Sequence, residues 1–105
     1  MAAQISIAAF EKSVALDPAP PAGLGRALRG LWLDGRGDWA GAHAAVQEGN
    51  GSDEAWVHAY LHRKEGDETN AAYWYARAGR PMAGGELKVE WRAIAAALLA
   101  SPEPT

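Results

Sequence analysis

Apolar residues along the chain recur at spacings of three and four, in short runs separated by Gly, Pro and Asp. Ile7, Phe10 and Val14 share one face of a helix expected over about residues 4–16. Asp17-Pro18 ends it, because a residue before proline is pushed out of the helical region. Pro18, Pro20 and Pro21 make a stiff connector, with Pro20 or Pro21 expected in the first turn of the next helix. That helix, about 22–35, carries Leu24, Ala27, Leu28 and Leu31 in one stripe, and Gly35 and Gly37 end it. Asp38 reads as the N-cap of a third helix, about 39–48, with Trp39, Ala42, Ala45 and Val46 inward and His43 and Gln47 on one flank.

Gly49-Asn50-Gly51 is a turn and Ser52 reads as the next cap. The fourth helix, about 53–65, is apolar on almost every side: Ala55 and Ala59, Trp56 and Tyr60, and Val57 and Leu61 form separate edges. Such a helix belongs in the middle of a domain. Gly66-Asp67 repeats the Gly37-Asp38 device and opens a fifth helix, about 68–79, burying Ala71, Trp74, Tyr75 and Ala78. A last helix, about 86–100, sets Leu87, Trp91, Ile94 and Leu98 in register.

Composition sharpens this picture. With 24 alanines, one phenylalanine and few β-branched residues, the chain reads as all-α, its bulk supplied by five tryptophans. Its 105 residues suit one domain. A net charge of −3 without a basic run gives no reason to expect nucleic acid. The absence of cysteine excludes disulfides and thiolate metal sites. The N-terminal apolar run is interrupted by Gln4 and Ser6, so neither a signal peptide nor a membrane span is expected, and a soluble, cytoplasmic protein is.

Two segments superimpose at a spacing of 29 residues: Gly37-Asp38 on Gly66-Asp67, Gly30 on Ala59, Ala42 on Ala71, and Val46 on Tyr75. One helix pair per unit at this length is the pattern of helical solenoids. With Ala59, Gly66-Asp67, Ala71, Tyr75 and Ala78 in place, the second unit, 52–81, resembles a tetratricopeptide repeat. The Asn70–Tyr75 stretch also resembles Sel1-type repeats. Arg26, Arg29 and Gly49 depart from the family pattern in the first unit, 22–48, and Pro81 comes about two residues early for the second. The resemblance implies a divergent, right-handed array of helical hairpins, an α–α superhelix of about six helices with a flanking helix at each end.

It also implies a groove lined by the first helix of each pair. The matching positions are Trp56, Tyr60, Arg63 and Lys64, with Leu31 and Asp34 from the preceding unit. An aromatic pair beside two cations suits a peptide with an acidic or carboxylate end. The expected function is therefore a non-enzymatic protein- or peptide-binding module needing no cofactor, its core-packing alternative being that Trp56 and Tyr60 lie under the N-terminal helix. Self-association through exposed tryptophans, giving a homodimer, is a further reading.

A competing reading rests on histidines. His58 and His62 are four apart, with Glu65 next along, and His43 comes near if the third and fourth helices pack antiparallel. Three imidazoles and a carboxylate could hold zinc or another borderline divalent ion and activate water, the chemistry of a metal-binding protein or small metal-dependent hydrolase. The residue after His58 is Ala59, so the HExxH arrangement of helical zinc enzymes is absent. The plainer alternative is neutral histidines bonded to Asn70 or Gln47. Convergence of the three rings separates the two. Glu65, Asp67 and Glu68 form a carboxylate cluster in which Asp67 reads as a helix cap. Tyr73 with Arg77 and Arg80 forms an outward basic–aromatic patch.

Overall fold

The computed structural model describes residues 5–100, and all its regular structure is helical. Six helices are present among the described residues: α1 (Ile7–Leu16), α2 (Arg26–Gly35), α3 (Trp39–Gln47), α4 (Ser52–Lys64), α5 (Glu68–Ala78) and α6 (Leu87–Ala100). The part of the first expected helix at residue 4 lies outside the described residues. No described helix is long and apolar enough to cross a membrane.

The two internal corners are copies of each other at the level of single hydrogen bonds. At the first, Gly37 takes φ +87°, Asp38 N–H donates to Leu33 O at 2.9 Å, and the Asp38 carboxylate accepts from Gly41 N–H at 2.9 Å. At the second, Gly66 takes φ +89°, Asp67 N–H donates to His62 O at 2.9 Å, and the Asp67 carboxylate accepts from Asn70 N–H at 3.2 Å. Glycine ends each helix because only it enters the left-handed region freely, and Asp restarts the chain by satisfying an orphan N–H. Each corner folds a helix back on its predecessor, giving the pairs α2–α3 and α4–α5.

Small residues set how closely the helices approach. A Cβ added to Gly30 would lie 2.7 Å from Val46 Cγ1, so α2 and α3 close on that glycine. The matching Ala59 and Ala71 are fully buried between α4 and α5. A Cβ on Gly35 would meet Val14 at 2.8 Å and Trp91 at 3.1 Å, so α1 and α6 converge there. Tryptophan N–H groups tie the helices together: Trp32 to Ser13 Oγ at 3.0 Å, Trp91 to Leu31 O at 2.9 Å, and Trp39 to Leu61 O at 2.9 Å. Trp32 is buried and Trp39 and Trp91 are partly so, each keeping its polar atom satisfied.

α4 is the hub, packed by α2, α3, α5 and α6, as its all-round apolar pattern requires. Several local expectations are corrected. α2 begins at Arg26 rather than near residue 22, because Gly23 takes φ +88° and Gly25 is extended; neither Pro20 nor Pro21 enters a first helical turn. Gly51, not Ser52, is the N-cap of α4, its N–H bonded to Glu54 Oε1 at 2.9 Å. The helix lying against α4 from outside the two pairs is α6, not α1, which packs on α2 and α6.

Candidate metal centre

The three histidines come together. His43 lies one turn beyond Trp39 on α3, and His58 and His62 lie one turn apart on α4. Packing of α3 on α4 brings His43 Nε2 to 3.0 Å from His58 Nε2, and one ligand nitrogen from each of the three lies within 4.8 Å of the other two. A tetrahedral ion with metal–nitrogen bonds of roughly 2.0–2.1 Å sets its ligand nitrogens about 3.3–3.4 Å apart, so small side-chain rotations close the set. Without a metal, one of the two facing rings donates its N–H to the other.

Aromatic faces hold the rings. Trp39 stacks on His43 with centroids 5.0 Å apart and planes at 12°, and Trp74 stacks on His58 at 3.9 Å and 14°. Trp39 is itself anchored through its bond to Leu61 O. Three helices thus fix the cluster: α3 and α4 supply nitrogens, and α3 and α5 supply flanking indoles. His58 and His62 are only 4% and 8% exposed, whereas His43 is half-buried and places the cluster at the protein surface.

Electrostatics favour the neutral, ligating form. Burial first, then the neighbouring His43 and His62, push His58 from 6.5 down to about 4. Burial and His62 lower His43 as well, against a smaller opposing pull from Glu65. Rings neutral at pH 7 keep lone pairs available. The expected neutral partners Asn70 and Gln47 do not serve the cluster: Asn70 Nδ2 bonds Asp67 at 2.8 Å, and His62 Nδ1 instead meets Glu65 Oε2 at 2.7 Å.

A second grouping, His62 with Glu65 and Asp67, also brings ligand atoms within 4.8 Å. Its atoms are committed elsewhere. Glu65 Oε2 holds His62, while Asp67 accepts from the backbone and side chain of Asn70, which also lower its carboxyl below the ordinary value. The three-histidine set is the better ligand group.

The four positions read as a peptide groove are placed differently. Tyr60 is 2% exposed and its hydroxyl donates to Asp34 Oδ2 at 3.1 Å, and Lys64 Nζ meets Asp34 Oδ1 at 2.9 Å. Arg63 bonds Glu90 Oε1 at 2.7 Å and donates to Gly85 O. Leu31 and Asp34 are buried beside them. Trp56 stands apart, capped by the Arg80 guanidinium at 3.7 Å from its ring centroid. It lines a cavity of about 320 Å³ with Pro81, Met82, Ala83 and Val89. Tyr73 is exposed, with Arg77 5.9 Å from its ring centroid.

Sequence reasoning missed Trp39 and Trp74 as walls of the histidine cluster, although Trp39 and His43 at a spacing of four carried the signal. It also missed Glu90, which is buried on α6 and accepts from both Arg63 and the Tyr75 hydroxyl. Comparison with protein-family models, with curated proteins and with solved structures finds no match to this chain.

Proposed function

We propose that this protein binds a borderline divalent metal ion, zinc above all, through His43, His58 and His62. The observation that carries the reading is the convergence of three imidazoles from two helices on one partly exposed point, with His43 and His58 held toward the neutral form. Imidazole nitrogens suit zinc, copper and nickel, whereas calcium and magnesium prefer oxygen donors. Three protein ligands leave a fourth position open at a zinc ion. The proposal concerns binding and assigns no reaction. Isothermal titration of tag-free, chelator-treated protein with zinc tests it. One ion per chain is expected, with binding lost in His43→Gln while the helical circular dichroism is kept. Absence of heat in the wild type would remove the reading.

The scaffold of the site is best described as a divergent tetratricopeptide-like pair of helical hairpins, flanked by α1 and α6. The duplicated Gly-Asp corners support this. Partner binding is the second reading, and the specific observation in its favour lies at Trp56 rather than Tyr60. Met82 and Val89, 52% and 63% exposed, flank the Trp56–Arg80 stack at the mouth of the cavity. An apolar peptide with a carboxylate end suits a cleft with an arginine at its edge. Fluorescence titration of Trp56 with a set of such peptides, wild type against Arg80→Glu, tests this reading; equal response in both would sink it.

A further inference from the structure

Two corners share one backbone but carry different side chains, and the difference falls at the histidine cluster. At the spacing of 29, His58, His62 and Glu65 of the second unit correspond to Arg29, Leu33 and Arg36 of the first. The backbone bonds match: Arg36 N–H donates to Trp32 O at 3.2 Å, and Glu65 N–H donates to Leu61 O at 3.2 Å. In the first unit the Arg36 side chain turns away to Asp17 O and lies over Trp32. In the second, the residue at that position points its carboxylate at a histidine.

The contact dictates a tautomer. Glu65 Oε2 lies 2.7 Å from His62 Nδ1, and a carboxylate can only accept, so Nδ1 carries the proton. With Nδ1 so engaged, Nε2 is the nitrogen left to offer a lone pair to the cluster with His43 and His58. Glu65 is also well aimed, because it is the C-cap of α4, one residue before the left-handed turn at Gly66. Asp67 N–H bonded to His62 O closes the turn around the same histidine. The device that ends the helix therefore fixes the carboxylate that orients the ring.

We infer that Glu65 is the positioning residue of the metal site, accepting the His62 Nδ1–H so that Nε2 faces the ion; this rests on the metal-binding reading above. It acts through His62 and is not itself a ligand. Carboxylates in this role fix ring orientation and raise ligand basicity, and their loss weakens metal binding by roughly 10–100-fold. Glutamine at this position keeps an accepting oxygen but loses the charge, whereas alanine removes both.

Zinc affinities of wild type, Glu65→Gln and Glu65→Ala would be measured by competition with a chromophoric chelator. Alongside them, long-range proton–nitrogen spectra of the metal-free proteins would report the His62 tautomer. Wild-type His62 is expected in the Nδ1–H form, with affinity falling from wild type through Glu65→Gln to Glu65→Ala by roughly 10–100-fold overall. The metal-free variants should keep the wild-type helical circular dichroism at the temperature of the titrations, separating positioning from folding. Zinc binding by the wild type with equal affinity in Glu65→Ala overturns the role of Glu65 and leaves the metal site standing. An oxygen ligand present in wild type and absent in Glu65→Ala, seen by X-ray absorption, makes Glu65 a ligand and overturns positioning. No zinc binding by the wild type overturns the site and the role together.

Discussion

His58 shows how one residue's burial shapes both chemistry and stability. Its ring is enclosed between His43, His62 and Trp74, and its pKa falls from 6.5 to about 4. A base whose pKa is depressed on folding costs nothing above its unfolded value of 6.5. Between there and about 4 the unfolded chain takes up a proton that the folded one refuses, so stability falls with falling pH and levels off below. His43, shifted the same way, adds to this slope. Thermal melts of metal-free protein should therefore show little change above pH 6.5 and a steady loss from there to about pH 4.5, shallower in His58→Gln. A profile identical in both proteins would contradict the assigned burial. Tyr75 offers a second residue-scale test. Burial and the Glu90 carboxylate raise its pKa, and its hydroxyl helps satisfy that buried acid. Tyr75→Phe should cost about 1–3 kcal/mol in urea unfolding, the usual cost of a buried acceptor losing a donor.

At the scale of elements, the corners were the most legible part of the sequence. Gly followed by Asp carries its own mechanism, and both corners formed as read, with Gly37 and Gly66 at nearly equal φ. Gly66→Ala should cost about 1–2 kcal/mol through forced left-handed backbone, and Asp67→Ala about 1 kcal/mol through the lost cap. Chemical denaturation of these variants, beside Gly37→Ala and Asp38→Ala, should give paired values within error if the corners are true copies. The start of α2 was less legible. Pro20 and Pro21 looked like helix-opening prolines, but Gly23 and Gly25 hold the backbone in left-handed and extended conformations before Arg26. Propensity cannot foresee which of several breakers will win. The Ser52 cap failed for a related reason: Glu54 reaches back to Gly51 N–H and moves the helix start one residue earlier.

For the whole molecule, periodicity identified α4 as the hub but not its neighbours. Trp56 and Tyr60 were expected in a groove or under the first helix. Trp56 lines a cavity and Tyr60 is buried, while α6 rather than α1 lies on α4, its Glu90 engaging Arg63 and Tyr75. Long-range choice of partner depends on shape, here on Gly35 letting α1 and α6 close on α2. The histidines were legible as a spacing on α4, yet their union with His43 needed the α3–α4 packing that only the fold supplies. Under the proposed function an ion bound there would have an architectural effect, because it would join one helical pair to the other. At a free concentration of 100 times Kd it should stabilise the fold by about 2.7 kcal/mol. Hydrogen exchange in α3 should slow on zinc addition in the wild type and not in His43→Gln.

The coordination sphere itself decides the central claim. Zinc K-edge X-ray absorption on the loaded protein should show about three imidazole nitrogens at roughly 2.0–2.1 Å, with one water oxygen completing the shell. A spectrum of oxygen ligands alone, or one that keeps all its imidazole scattering in His43→Gln, would contradict the three-histidine centre.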